Sequence, residues 1–368
     1  MPIHKDRPTY ADLHIHIGRA GGKPVKITAS RSLTLRSIMM SDAPRKGLNI
    51  VGVVDAGSPL VVAEIEAMLQ AGDLRQLDGG GFLGRSGVLL VVGAEVETRE
   101  GVHVIAYLPG LESLRGWQRF WGPWVTNMNL STQKADIPMA DIIDQCMRLE
   151  GVFCLAHAFT PHKGAYGLWT DSLFRELGSV IEDIKVLELG LSSDSDLADT
   201  LAETRRFSYL SNSDAHSAAN LAREYNCLTM WENNFDELRM ALWGIGGRGI
   251  TANYGLHPRM GKYYRSYCPV CDRIAAEPPP VTRCPACGRE RLVMGVYDRI
   301  VMIQDAPCQR QPPTYRPPYY YRVPLKYLPG IGPITYGRLL ESFANEIEVM
   351  ETVPIEDISR KVGEWPAA

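Results

Sequence analysis

No stretch of this 368-residue chain is apolar for long enough to cross a bilayer. Its longest mainly apolar run, Gly87 to Val96, broken only by Glu95, is about half of the ~20 residues that a membrane span requires. Residues Met1 to Tyr10 are polar and hold two prolines, so no secretory signal is read there. A cytoplasmic protein without a membrane partner is the expectation. Strong net charge is also missing: −3 overall argues neither for nor against a nucleic-acid partner. There is no internal repeat. No Ser-His-Asp nucleophile set is apparent, and Gly79-Gly80-Gly81 lies in a loop rather than at the strand–helix turn that a phosphate loop needs.

What is present is an ordinary globular mix, 45% hydrophobic and 22% charged, over a length that suits two or three domains. Charge is unevenly spread. Between Gly255 and Gly330 twelve Lys/Arg stand against five Asp/Glu, so the rest of the chain is acidic. A basic arm on an acidic body suits a carboxylate-rich catalytic domain joined to a phosphate-tracking segment. A solvated basic loop is the plainer alternative.

From Tyr10 to about Ala252 short apolar runs alternate with helical patterns. Strands are expected at Tyr10–Ile17, Asn49–Val54, Val88–Val96, Val102–Tyr107, Gly151–Ala156, Val186–Leu189 and Ser208–Leu210. Helices are expected at Ile137–Leu149, with Ile142, Ile143, Cys146 and Met147 on one face, and at Ser193–Arg205 behind capping Ser and Asp residues. The alternation predicts an α/β fold with a mainly parallel sheet, open or closed into a barrel, whose ligands gather at the carboxyl ends of strands.

The motifs fall at those ends. In the strand Asp12-Leu13-His14-Ile15-His16, residues two apart share a side, so Asp12, His14 and His16 are expected to project together as ligands for a divalent metal. Asp55, Glu95, His103, His157 and the pair Asp214 and His216 recur on or after later strands. These nine candidates come from six distant segments and exceed the needs of one ion. Two or three divalent ions (Zn²⁺, Mn²⁺ or Mg²⁺) are expected, as in sites that stabilise attacking and leaving oxygens in phosphoryl transfer. Glu95 is expected to bridge ions, and Asp214, beside His216, to orient a water. His4, His162 and His257 are left as non-ligands. The segments Asp12–His16, Asp55, Gly93–Val96, Val102–Val104, Ala156-His157 and Ser213–His216 resemble the motifs of the polymerase-and-histidinol-phosphatase (PHP) superfamily. That resemblance implies a distorted β/α barrel with a bi- or trinuclear metal centre. One departure stands out: the His usual in the second motif is replaced by Ala56, Gly57 and Ser58 after Asp55.

The eight cysteines divide. Cys146, Cys154, Cys227 and Cys308 are scattered and read as buried hydrophobes, whereas Cys268, Cys271, Cys284 and Cys287 form two CxxC pairs separated by residues 272–283. Paired knuckles in a chain without an export signal read as a closed structural Zn²⁺ site. Arg265, Arg273, Arg283, Arg289 and Arg291, with Tyr263, Tyr264 and Tyr267, suit phosphate contacts and base stacking; alternatively the ribbon only packs on the barrel. A Pro/Tyr/Arg-rich linker, Gln311 to Arg322, precedes a helical tail, Val323 to Trp365. There Gly330 and Gly332 open the helical Ile334–Phe343 in the manner of a helix-hairpin-helix motif, and free N–H groups at such a turn can meet a phosphate.

The whole order is similar to the endonuclease Q family, carried by Asn127–Gln133, Glu188–Asp194, Asn212–Ser217, Glu277–Val281 and Leu328–Gly332. This resemblance implies a barrel over 1–254, a zinc ribbon over 255–310 and a linker with a helical tail over 311–368. It also implies nicking of damaged DNA on the 5′ side of a deaminated base (hypoxanthine, uracil, xanthine) or an abasic site, alongside replication or repair factors. A base read outside the stack needs a pocket, for which Asn127, Asn129, Tyr166, Trp169 and Ser192 are candidates that spacing does not separate from core or loop positions. A phosphatase for small phosphate esters and a non-catalytic DNA-binding protein remain the alternative readings.

Overall fold

The structure, a computed structural model, describes residues 8–305 and 315–351. His4, Cys308, linker positions 311–314 and the tail beyond Glu351 lie outside the described residues.

Seven strands form the body: β1 (Thr9–Ile15), β2 (Ile50–Val53), β3 (Leu89–Glu97), β4 (His103–Leu108), β5 (Val152–Leu155), β6 (Val186–Glu188) and β7 (Ser208–Leu210). They pair in chain order. β1, β2 and β3 run parallel, as do β5, β6 and β7, but β4 is antiparallel to both its neighbours. The mainly parallel expectation therefore fails at β4. Its cause is the short turn at Thr98–Val102, where Thr98 N donates to Val102 O at 2.9 Å and Gly101 takes φ +81°. A hairpin needs only two to five residues, whereas a parallel crossover needs a dozen. The reversal sets His103 opposite Glu97, so β4 begins at the same sheet end where its neighbours finish.

The sheet curls until its ends meet. Ile15 bridges Ala215 just beyond β7, with His16 N donating to Ala215 O at 2.9 Å and Ala215 N to His14 O at 3.2 Å. The first half of β1 instead pairs antiparallel with β8 (Tyr225–Thr229), which continues to β9 (Gly249–Gly255) and then to β10 (Tyr319–Tyr321). Asn226 fills the fork. Its Oδ1 accepts from Ser211 N at 2.9 Å, and its Nδ2 donates to Ala11 O at 3.2 Å and Ser211 O at 3.0 Å.

Strand alternation builds two apolar layers. Ala11, Leu13, Ile50, Leu89, Val91, Ile105, Tyr107 and Cys154 form an interior cluster joined by Phe235 and Leu238 of the helix Phe235–Trp243. The opposite faces pack with the outer helices, including Met139–Arg148, which buries Ile142, Ile143 and Cys146 as its spacing predicts, together with Met139, and leaves Met147 half-buried against them. The helix expected over Ser193–Arg205 is shorter, Ser195–Ala198, capped by Asp194 accepting from Leu197 N at 2.8 Å; a 3₁₀ turn follows at Glu203–Arg206. Among the described residues no helix is long and apolar enough to cross a membrane.

One buried carboxyl at the fork titrates far from its usual range. Burial pushes Glu224 up to about 8, although Ser211 and the Leu256 N–H oppose the shift. Geometry agrees, because the Ser211 hydroxyl lies 2.8 Å from Glu224 Oε2 and 3.1 Å from Tyr254 O but has one proton to give. A protonated Glu224 that donates to Ser211 lets Ser211 donate to Tyr254 O. The folded state then holds a proton that the unfolded chain loses near 4.5, so this contribution to stability is full below about pH 4.5 and is lost as pH rises to about 8. Urea titrations across that window should show wild-type stability falling by on the order of a few kcal/mol and a flatter profile for Glu224→Gln. Identical slopes for the two proteins would refute a neutral Glu224.

Candidate metal centre

Glu95 stands near the end of β3 with its side chain 2% exposed, and imidazoles surround it. Its Oε1 lies 3.4 Å from His14 Nε2, 3.0 Å from His103 Nδ1 and 3.3 Å from His157 Nε2. Its Oε2 lies 3.3 Å from His16 Nε2 and 3.2 Å from Lys26 Nζ. Burial alone would raise this carboxyl, yet the charges of His103, Lys26 and His16 hold it well below the usual range. Asp214 Oδ1 completes the cluster, 3.6 Å from His14 Nε2 and 3.5 Å from His16 Nε2, and the His216 ring packs 4.6 Å from that of His16.

Three groups of potential ligand atoms result: His14, His16 and Glu95; Glu95, His103 and His157; and His16, Asp214 and His216. Their chemistry fits a divalent cation. His14 Nδ1 meets Glu188 Oε2 at 2.9 Å and His16 Nδ1 meets Asp55 Oδ1 at 2.7 Å, which keeps a proton on each Nδ1 and makes Nε2 the atom through which each ring can bind a cation once its own outer proton is lost. Those two atoms face each other at 3.3 Å beside carboxylate oxygens, an arrangement that a cation between them satisfies. Ligands about 2.1 Å from a tetrahedral ion stand roughly 3.4 Å apart, which is the spacing observed.

Two expected ligands belong to none of these groups. Asp12 is buried and accepts from Ser213 N at 3.1 Å and Ala222 N at 3.0 Å; burial pushes it up to about 6. The cause is a bulge in β1. Asp12 pairs with Val51 but Ile15 with Val53, so one strand carries an extra residue. The face therefore switches: Leu13 packs in the interior cluster and Ile15 in the outer one, which separates Asp12 from His14 and His16. Asp55 likewise supports the site from behind. It accepts from Ile17 N at 2.6 Å and from the Ser131 hydroxyl while it orients His16.

Sequence reasoning missed Glu188, which stands at the end of β6 as the other candidates stand at theirs, and Lys26, for which no periodicity or spacing gives a signal. Beside the cluster opens a cavity of about 400 Å³, lined by His157, Ser192, Asp214, Arg223, Lys262 and Tyr263 among others. Close packing brings the last two there: a Cβ on Gly261 would overlap Ser192 Oγ. Of the five residues suggested for a base pocket, Ser192 is the one that lines this cavity. Tyr166 is buried, with its hydroxyl donating to Glu203 Oε2 at 2.7 Å, and Trp169 packs against the outer core. Asn127 and Asn129 belong to a loop held by Gln133, whose Nε2 donates to Asn127 O at 2.5 Å. His162 packs edge-on against Tyr263, 5.2 Å between ring centroids, and also lines the cavity.

The four cysteines converge as the spacing predicts. Cys268 and Cys287 sulfurs are 3.8 Å apart and those of Cys271 and Cys284 3.9 Å, close to the ~3.8 Å edge of a tetrahedral zinc–thiolate site. Arg265 is tied into the ribbon. It bonds Asp298 Oδ2 at 3.0 Å and Glu277 O at 2.5 Å, and buried Asp298 also accepts from Ser266 N and Val281 N. Arg273 pairs with Glu277 at 2.9 Å; Arg289 and Arg291 are exposed. Gly330 takes φ +84° and Gly332 caps the helix Pro333–Ser342.

Outer partners of metal ligands typically control affinity by about 10–100-fold. Glu188→Gln should weaken metal binding by about that factor in a competitive chelator titration while the protein stays folded. Unchanged affinity would show that Glu188 has no hold on His14.

No family model matches the sequence. The chain is 37% identical over 365 residues to the uncharacterized protein YqxK of Bacillus subtilis, covering 98% of this chain and 92% of that one. It superposes on the lesion-specific endonuclease PfuEndoQ from Pyrococcus furiosus with a TM-score of 0.82 and 32% identity, over 97% of this chain and 88% of the other. An endonuclease Q complex with a 27-mer duplex carrying an abasic lesion at the active site gives the same TM-score and identity, over 97% and 89%. By identity and coverage together, the chain belongs to the endonuclease Q family.

Proposed function

We propose that this protein is a metal-dependent DNA-repair endonuclease that hydrolyses the phosphodiester on the 5′ side of a deaminated base or an abasic site. The observation that carries this reading is the convergence of His14, His16, Glu95, His103, His157, Asp214 and His216 at one mouth of the curled sheet, beside a cavity with a basic rim. Divalent ions held there would supply Lewis-acid stabilisation of phosphate charge and a water acidic enough to attack at neutral pH. The chain's own residues do the rest. Asp214 has a side chain 32% exposed and lines the cavity. Burial would raise its pKa, but His14, His16 and His157 hold it low, so it meets a water as a carboxylate that can orient it. Arg223 and Lys262 suit contacts to the strand's phosphates, and Tyr263 with Ser192 offers a ring and a hydroxyl to an extruded nucleotide. Zinc at the four cysteines would fix the segment that carries Lys262 and Tyr263. The division into 1–254, 255–310 and 311–368, and phosphate contacts by Arg273, Arg289, Arg291, Gly330 and Gly332, belong to the same proposal.

End-labelled duplexes that each carry one hypoxanthine, uracil, xanthine or abasic site test it directly. Nicking should occur 5′ to the lesion, cease with EDTA, fall by at least about 100-fold in Asp214→Asn, and weaken steeply with salt. A protein that spares every duplex yet hydrolyses small phosphate monoesters regardless of salt would instead be a phosphatase.

A further inference from the structure

The three ligand groups share atoms, and that sharing limits how many ions they can hold. His16 offers one lone pair, because its Nδ1 is committed to Asp55 at 2.7 Å. Yet His16 belongs both to the group with His14 and Glu95 and to the group with Asp214 and His216. An imidazole nitrogen binds one ion at a time. If His16 serves the first group, the other retains only Asp214 and His216, too few protein ligands for a firmly held ion. The group of Glu95, His103 and His157 is independent of this conflict. Glu95 can serve both remaining ions, since its Oε1 faces His103 and His157 and its Oε2 faces His16.

A cation already stands beside Glu95 Oε2. Lys26 Nζ is 3.2 Å from that oxygen and 2.6 Å from Thr132 Oγ1, and its side chain is only 14% exposed. The placement is built. Lys26 N donates to Ile17 O at 3.1 Å, just after His16 and the end of β1, and Ser131 N donates to Val25 O at 3.0 Å. Thr132 is held at φ +55°, a conformation costly for a β-branched residue, with its hydroxyl donating to Glu95 Oε2 at 2.8 Å. The neighbouring Ser131 hydroxyl donates to Asp55. Asp55 is followed by Ala56, Gly57 and Ser58, so this side of the cluster has no further imidazole to hold an ion.

We propose that the centre takes two divalent ions, and that Lys26 supplies the third cation of the site as a fixed positioning group for the bridging carboxylate. This rests on the phosphodiesterase reading above, but not on its lesion specificity. A fixed cation next to a ligand has two opposite effects: it repels metal ions and it stabilises the charge of the reacting phosphate. Loss of a residue that only braces the fold would lower both metal affinity and turnover.

The test uses the full chain with zinc retained at its cysteines and the barrel stripped, then titrated with Mn²⁺ against a competing chelator. Wild type, Lys26→Met and Lys26→Arg should each take up two Mn²⁺. Lys26→Met should bind them at least about tenfold more tightly, while its kcat on bis(4-nitrophenyl) phosphate falls about 10²-fold and that of Lys26→Arg falls less. A wild-type count of three, a Lys26→Met affinity equal to or weaker than wild type, or an unchanged kcat would each overturn the proposal. Because neither readout involves a DNA lesion, a failure to nick damaged duplexes would overturn the endonuclease assignment and leave this one standing.

Discussion

A carboxylate buried among imidazoles is the constraint around which this protein is arranged. Taking Glu95 out of water as an anion is costly unless positive or hydrogen-bonding partners face it on every side. His14 and His16 reach it from β1, His103 from the reversed β4, His157 from the end of β5 and Lys26 from the loop after β1. Each of those approaches needs a particular strand direction or register. The antiparallel β4 matters for this reason, since a parallel strand at that place would set its first residue at the opposite end of the sheet. A second ring of acceptors, Glu188, Asp55 and Thr160, holds the imidazoles in turn; Thr160 Oγ1 is 3.0 Å from His157 Nδ1. Ligand orientation is thereby transferred into the hydrogen-bonded ends of the strands.

Backbone strain gathers at the same place. Six non-glycine residues among those described have positive φ, and Thr132, His157 and Asp214 are three of them. Such conformations cost roughly 1–3 kcal/mol each and persist where surrounding contacts over-determine them. Thr132 is held between Lys26 and Glu95, and His157 by Thr160. A fourth, Ala222 at φ +53°, donates its N–H to Asp12. Asp12 is therefore a structural anchor: with Ser213 and Ala222 fastened to β1, the loop carrying Asp214 and His216 is drawn to the metal cluster.

Much of this was legible in the residues. Seven strand positions, the four-cysteine ribbon and the amphipathic helix at Met139–Arg148 follow from periodicity and chelate spacing, because those patterns depend on local geometry alone. The reading fails where geometry departs from the local rule. Period-two alternation places Asp12 with His14 and His16, but a bulge of one residue in β1 reverses the face between them. Arg265 carries the charge of a phosphate contact, yet Asp298, 33 residues away, uses it to tie the ribbon together. Asn127–Gln133 is a recognisable segment, but that its Ser131 and Thr132 reach Asp55 and Glu95 follows from no local pattern. Lys26 shows the limit most plainly: only the folded chain brings it to a carboxylate 69 positions away.

The site turns on Glu95 as the carboxylate shared by the ions of the centre. Anomalous diffraction from crystals of the full chain grown with Mn²⁺ and an abasic duplex tests it most directly. Two manganese peaks should share the Glu95 carboxylate, one toward His14 and His16 and the other toward His103 and His157, with the phosphate 5′ to the lesion beside them. Peaks ligated by Asp12, or a lesion phosphate seated away from Glu95, would contradict it.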